Sequence, residues 1–538
     1  MSLEVYRLAD SDVIAPIGAL GLLGAWGCAV VAAGVGIVAG CRNSALMTRL
    51  GRWGFYTAAA LVLFSSLFLV IALATNDFSL AYVTEHSERS LPLALKLAAF
   101  YGGQEGSLLY WTAVLCVLGS ISLAFGASIN QQLAAWAQVV LAAIVGFFLF
   151  LLVFVENPFS RLLLVPQDGL GLNPVLRDGG MLIHPPFQLA GYSSFALPFA
   201  WTVAALLARG SGSRWIAQLR RLALISWGLQ SAGLLLGMWW AYHVLGWGGY
   251  FGWDPVENVA LMPWLAVTAA LHVIPRSGSR LSRWSAGLIV LAFLLSVMGT
   301  FIVRSGILPS VHSFAISPLG PWLFCFLLIC LLVSGWLLAA RAPTRELNSP
   351  ELLREPHFLP NLLILLLVGA ILWGTLLPLL SGLLGAQLTV GASYYQRVAA
   401  PLLLAILALL ALGPGWSRLL GRLIGRGKPS PYSPYILPTA GALLTLALLL
   451  LLGWTRPGVL LAISLAGAGL VSWIRETWRR KIRLAAGMAH IGLLVLEIGV
   501  IGSQLGQQQM SVVMRPGHTY QIAGYSLTYQ GLSSQTEG

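Results

Sequence analysis

Charge is scarce in this chain. Of its 538 residues only 9% are Asp, Glu, Lys or Arg, against about 25% in a soluble domain, so an ordinary water-soluble fold is excluded. Cysteine is scarce too. The five present, Cys28, Cys41, Cys116, Cys325 and Cys330, include no C-x-x-C pair, which removes dithiol redox chemistry. There is no Walker A loop, no G-x-S-x-G and no H-E-x-x-H, so nothing supports nucleotide-driven transport or the common hydrolase mechanisms. The first twelve residues carry Glu4, Asp10 and Asp12 against Arg7 alone; a secretory signal begins with positive charge, and this stretch does not read as one.

Apolar residues are what the chain has in quantity: 58% are hydrophobic and the mean hydropathy is +0.82. About 14 apolar runs approach the ~20 residues that span a bilayer. They lie near 14–39, 55–74, 107–126, 134–155, 185–208, 222–245, 256–274, 284–303, 322–339, 359–380, 398–413, 437–452, 459–474 and 488–504. The expected fold is an all-α, polytopic membrane bundle over residues 1–510, with no inserted soluble domain. Residues 511–538 form a tail whose alternating segments, Ser511-Val-Val-Met and Tyr525-Ser-Leu-Thr-Tyr529, read as short strands opening a reduced or truncated β domain.

The net charge of +13 points to nucleic acid only until it is mapped. The connections 40–54, 209–221, 275–283, 340–358, 414–436 and 475–487 hold 22 of the 31 Lys and Arg, while 13 of the 18 acids fall on the alternate side. By the positive-inside rule the basic side is cytoplasmic and both termini are expected on the outer face. No nucleic-acid partner is implied; the partner of this surface is lipid.

One outer segment stands apart. Seven aromatics lie between Trp239 and Trp253 (Trp239, Trp240, Tyr242, Trp247, Tyr250, Phe251 and Trp253), interleaved with glycine, at a break between two apolar helices. Exposed apolar area of that density calls for a covering ligand. Glycine allows close backbone approach, and a flat apolar molecule such as haem fits the chemistry.

Histidines sort by depth. His184 precedes Pro185-Pro186, which predicts an extended residue at the outer mouth of the fifth span. His312 lies in the outer loop 304–321. Both can reach the level of the aromatic segment. His272 lies 17 residues beyond Pro255, about 26 Å along a helix and near the inner edge of the bilayer. His490 enters the last span from the cytoplasmic side at a similar depth. Two imidazoles at one depth on different helices are what bis-histidine haem ligation needs, although a histidine near a helix end is often only a packing residue. His243 is a rival haem ligand beside the aromatic segment, better suited to packing or hydrogen bonding. His86, His357 and His518 read as loop residues. No C-x-x-C-H occurs, so the chain does not itself carry covalent haem.

Asp254-Pro-Val-Glu257 has the spacing of a capping box for the seventh span. The helix N-terminus there favours anionic groups. Arg304 is a candidate partner for a haem propionate, and Arg177 is another; interfacial anchoring is the competing role for both. Glu497, seven residues from His490 on one helical face, is either a proton-handling group or a neutral packing residue.

The run Trp239-Trp-Ala-Tyr-His-Val-Leu-Gly-Trp-Gly-Gly-Tyr-Phe-Gly-Trp-Asp-Pro-Val-Glu-Asn258 resembles the tryptophan-rich haem-handling motif of the cytochrome c maturation protein F family. Gly102-Gly-Gln-Glu-Gly-Ser-Leu-Leu-Tyr-Trp111, His184-Pro-Pro-Phe with Gly191-Tyr, Arg304-Ser-Gly and Val311-His312 resemble further family signatures. The likeness extends over about residues 15–510. It implies a haem lyase subunit in a bacterial inner membrane. His184 and His312 would ligate a transient haem from a covalent haem chaperone, over the platform of Trp239, Trp240, Trp247, Tyr250, Phe251 and Trp253. His272 and His490 would hold a permanent haem b reduced by quinol. Implied partners are that chaperone, apocytochrome c and a thiol-maintaining subunit that presents it. Two departures stand out: Tyr250-Phe251-Gly252 occupies positions where the family usually carries tryptophans, and the family usually continues into a larger outer domain. A haem exporter or scaffold, or a quinol-oxidising electron-transfer protein, are the alternative readings.

Overall fold

The computed structural model describes residues 7–8, 13–126, 129–208, 213–244, 249–275, 281–308, 310, 317–342, 357–386, 388–416, 436–479, 481–506, 510, 512–522 and 524–531. In chain order the helices are α1 (Ile14–Arg42), α2 (Ala45–Thr75), α3 (Ala81–His86), α4 (Leu93–Ala98), α5 (Gln104–Gly126), α6 (Gln131–Phe154), α7 (Gly180–Ser194), α8 (Ala196–Ala208), α9 (Ser213–Val244) and α10 (Pro255–Val273). They continue as α11 (Arg283–Ser305), α12 (Leu319–Arg341), α13 (Phe358–Leu383), α14 (Ala392–Leu412), α15 (Ile436–Leu451), α16 (Pro457–Trp478) and α17 (Leu484–Gly506). The protein is an all-α polytopic membrane protein: among the described residues 13 helices are long and apolar enough to cross a bilayer. The segment expected near 437–452 forms the 16-residue α15, about 24 Å long and short of a ~30 Å core. All five cysteines are free.

The chain divides into two compact units, one of residues 1–245 and 251–406, the other of residues 246–250 and 407–538. In the first, helices meet through small residues, as apolar surroundings require when lipid offers no hydrophobic drive to association. Ser65 donates to the Gly18 carbonyl across the α1–α2 seam at 3.0 Å, which the bare backbone at Gly21 permits. Gln138 of α6 is buried and donates to the Ala32 carbonyl of α1 at 3.1 Å. Leu20, Val31, Trp53, Phe125 and Trp336 stay exposed, the sign of lipid-facing sides. Short antiparallel strands Arg7–Leu8 and Leu164–Val165 join two connections of this unit.

The second unit contains α15, α16 and α17 and the end of α14. Its tail forms a hairpin, Thr519–Ile522 against Tyr525–Thr528. Gly524 turns it at φ +82°, a left-handed position that glycine takes without strain.

Candidate functional site

The fifth span does not begin at the prolines. Helix α7 starts at Gly180 and carries His184 in its second turn, with Pro185 and Pro186 inside the helix. The expected extended conformation at His184 is therefore corrected. The prolines fall in the second turn, where each removes one intrahelical donor, so the helix tolerates them by finding donors elsewhere. The carbonyl that Pro186 leaves without a donor, that of Leu182, accepts from the Tyr101 hydroxyl at 3.4 Å.

His184 is held by another helix. Its Nδ1 lies 3.0 Å from the Gly233 carbonyl of α9, so Nδ1 is the protonated nitrogen and Nε2 carries the lone pair. The helices approach closely because α9 is bare there. A Cβ at Gly237 would stand 2.6 Å from His184 Cε1, and one at Gly233 would stand 2.7 Å from Gln188 Oε1. Trp240 lies beside the imidazole, ring centroids 5.7 Å apart. It is buried at 6% exposure against Gly180. Trp240 is thus a backing wall for His184; its expected place on an open shelf is corrected, because the bare Gly180 backbone lets α7 cover it. Trp239 remains 42% exposed. His243 sits against Trp239, with centroids 4.8 Å apart and Nδ1 at 2.8 Å from the Trp239 carbonyl.

The rest of the aromatic segment is organised by the start of α10. Asp254 accepts from Val256 N, and Glu257 accepts from Asp254 N at 3.1 Å and Gly252 N at 2.7 Å. The capping box read from the sequence is present. Asp254 also accepts from Ser310 Oγ at 2.7 Å, which ties the loop bearing His312 to this cap. His312 itself and Trp247 lie outside the described residues. Tyr250 and Phe251 are half-buried.

Trp253 takes φ +58°, a left-handed conformation rare for a bulky side chain. Its indole stacks on Tyr395, 4.5 Å away and within 4° of parallel. Asn258, buried at 1% exposure, reaches the Trp253 carbonyl at 3.2 Å, Thr375 Oγ1 at 3.2 Å and the Tyr395 hydroxyl at 2.9 Å. Neither Tyr395 nor Asn258 was marked by sequence reasoning. Their partners lie more than a hundred residues apart.

At the other end of α10, His272 Nδ1 lies 2.8 Å from the Thr268 carbonyl, again leaving Nε2 with the lone pair. His357, read as a loop residue, stands beside it with ring centroids 6.0 Å apart. His357 is the N-cap residue just before α13, which packs along α10, and Asn361 one turn on donates to the Ala269 carbonyl at 3.3 Å. Arg220 donates to the Leu271 and Ile274 carbonyls at 2.7 and 3.1 Å, a cation placed at a helix C-terminus. Between the two ends, Trp227 and Trp264 stack at 6.1 Å.

In the second unit, His490 Nδ1 lies 2.7 Å from the Ala486 carbonyl. Trp473 of α16 covers its face. In all three imidazoles Nδ1 faces a carbonyl oxygen, which makes Nδ1 the protonated nitrogen.

The two arginines have protein partners. Arg304 is 5% exposed and donates to the Gln104 carbonyl, Gln104 Oε1 and Ser107 Oγ at 2.8, 3.1 and 3.1 Å. These contacts anchor α11 on α5, the second of the two roles the sequence offered for Arg304. Arg177 pairs with Glu88 at 3.2 Å. His86 also proves structural. It stacks on Tyr82 at 4.5 Å, and its Nδ1 lies 3.0 Å from the Tyr82 carbonyl. Burial pushes its pKa below the ordinary value. Gly103 and Gly106 lie against the Tyr82 and His86 rings, which accounts for two of the three glycines of the 102–111 motif.

The family described as "Cytochrome C assembly protein" matches residues 101–308, the stretch that contains His184, the aromatic segment and His272. "Cytochrome c-type biogenesis protein CcmF" of Pseudomonas aeruginosa is 36% identical over 528 residues, covering 92% of this chain and 78% of the relative. The chain belongs to the CcmF family. CcmF of Escherichia coli is 33% identical, covering 93% of this chain and 79% of its own. CycK of Bradyrhizobium diazoefficiens is 35% identical, with 88% and 76% covered. A solved structure titled "Cytochrome c Heme Lyase CcmF" superposes with a TM-score of 0.74 at 25% identity, over 99% of this chain and 85% of that one. CcmF membership makes this a multi-pass membrane protein of cytochrome c biogenesis.

Proposed function

We propose that this chain is the haem lyase subunit of cytochrome c maturation in a bacterial inner membrane. It receives haem from a covalent haem chaperone and promotes its attachment to the C-x-x-C-H motif of apocytochrome c. The observation that carries this reading is the His184 imidazole, fixed by the Gly233 carbonyl and backed by Trp240, inside the family-matched segment.

His184 and His312 would take the iron of the incoming haem as substrate. Trp239, Trp247, Tyr250, Phe251 and Trp253 would cover its flat face, and Trp240 would hold His184 in place. In the attachment step each apocytochrome thiol adds across a haem vinyl group: the sulfur bonds to one vinyl carbon and the thiol proton ends on the other. The protein's part is orientation and exclusion of water, which can supply much of such an acceleration. Apocytochrome c would arrive on a thiol-maintaining partner subunit.

His272 and His490 would hold a resident haem b. Each has Nδ1 on a carbonyl oxygen, which makes Nε2 the nitrogen that would face an iron, so the donor chemistry fits. When bound, that haem supplies one-electron transfer from quinol, keeping the outer iron ferrous. The charge map supports an orientation with the basic connections on the cytoplasmic side.

The test is haem content by pyridine haemochrome and reduced absorption spectra of purified protein. His490→Ala is expected to lose the tightly held haem. His184→Ala is expected to keep it and fail in attachment to apocytochrome c. Retention in His490→Ala with loss in His184→Ala would reverse the assignment.

A further inference from the structure

Trp473 was not marked by any sequence pattern, yet its indole lies over the His490 imidazole with ring centroids 3.9 Å apart and planes within 8° of parallel. The indole cannot swing freely. Its Nε1 donates to the Leu410 carbonyl of α14 at 2.9 Å, across 63 residues of sequence. The imidazole is thus restrained in two independent ways. The Nδ1 bond to Ala486, 2.7 Å within its own helix, sets which nitrogen is protonated. The stacked ring prevents tilt of the imidazole plane, a motion that a single hydrogen bond leaves open.

We propose that Trp473 is a positioning residue for the inner haem, anchored on Leu410 and holding the His490 ring at the angle from which Nε2 meets the iron. This rests on the reading of His490 as an axial ligand. An axial imidazole must arrive with its lone pair along the iron–nitrogen axis. A ring free to tilt gives a weaker bond and a spread of orientations. Second-shell groups that aim a ligand typically contribute about 10- to 100-fold in metal affinity. A stacked indole adds a dry face and a fixed plane without competing for the iron, since its nitrogen is a donor only.

The experiment uses the full chain in detergent, compared as wild type, Trp473→Leu, Trp473→Phe, Ile463→Ala and His490→Ala. The readouts are haem per protein, electron paramagnetic resonance of the oxidised haem, and its reduction potential. Trp473→Leu is expected to retain haem about 10-fold more weakly, with broadened low-spin signals that sharpen on adding free imidazole. Trp473→Phe keeps a stacked ring without the Leu410 bond and is expected to fall between Leu and wild type. Ile463→Ala removes buried packing from α16 without touching His490 and is expected to match wild type. Wild-type spectra, potential and haem content in Trp473→Leu would overturn the proposal. So would the same spectral change in Ile463→Ala, which would mark a general packing effect. If Trp473→Leu fails to fold, Trp473→Phe with wild-type signals and potential overturns it. Full haem retention in His490→Ala sinks the ligand reading and the proposal with it; loss there with no effect at Trp473 sinks the proposal alone.

Discussion

Ser310 donates a 2.7 Å hydrogen bond to Asp254, 56 residues earlier in the chain. The carboxylate already caps α10 through Val256 N, so one side chain serves both the helix carrying His272 and the loop carrying His312. Ser310→Ala removes the loop tie and leaves the cap. The expected cost is about 1 kcal/mol of local stability. Faster amide exchange over residues 305–308 and 317–318 in Ser310→Ala, with α10 unchanged, is the outcome to look for by mass spectrometry.

Gly237→Ala should separate the two proposed haem stations. The added methyl would meet His184 at 2.6 Å, a contact that forces the imidazole off its Gly233 partner. We expect loss of haem attachment to apocytochrome c with full retention of the tightly bound haem, measured on the same preparation. Normal attachment in this variant would mean that the position of His184 is immaterial.

Trp253 is held in a left-handed conformation that costs on the order of 1–3 kcal/mol, offset by its stack on Tyr395 and its carbonyl's bond from Asn258. Tyr395→Phe keeps the stack and should be mild. Tyr395→Leu removes it and should free the indole, seen as a red-shifted, more quenchable tryptophan emission relative to Tyr395→Phe. Identical emission in the two variants would refute a role for stacking.

His357 lies at van der Waals range of His272. His357→Ala should leave the tightly held haem in place but shift its reduced absorption bands, because the surroundings of His272, a proposed haem ligand, change. Loss of all haem would instead make His357 a ligand in its own right; an unaltered spectrum would make it a packing residue.

Acidification should loosen the segment around His86. Its folded pKa lies below the ordinary 6.5 because burial disfavours the charged ring. The unfolded segment therefore takes up a proton first as pH falls through about 6.5, and stability present above that pH is lost below it. Limited proteolysis between α3 and α5 should accelerate from pH 7.5 to pH 5.5 in wild type and show a flatter dependence in His86→Gln.

Hydropathy made the spans legible, and the Asp254–Glu257 spacing made the capping box legible, because both are local properties of the chain. His184, His272 and His490 could be marked for the same reason, since depth along a helix is a matter of counting. The groups that aim or cover these residues were not legible. Trp473, Tyr395, Gly237 and His357 act across helix seams, and their partners are set by which helices pack together. Trp240 and Arg304 share this cause: each looks available in sequence and is engaged by a neighbouring helix, α7 and α5 respectively. His184-Pro-Pro misled for a different reason, because a helix can begin a turn before its prolines when the first carbonyls find donors elsewhere.

The hydrogen bond from His184 to Gly233 crosses from one helix to another, whereas His272 and His490 each bond within their own helix. An imidazole tethered to its own helix travels with it and keeps its bearing. The outer ring takes its bearing from a neighbour, so a small slide of α9 along α7 would turn it away from the haem it is proposed to hold. Grip and release of a passing cargo can then be governed by the same seam of bare glycines that lets the two helices touch.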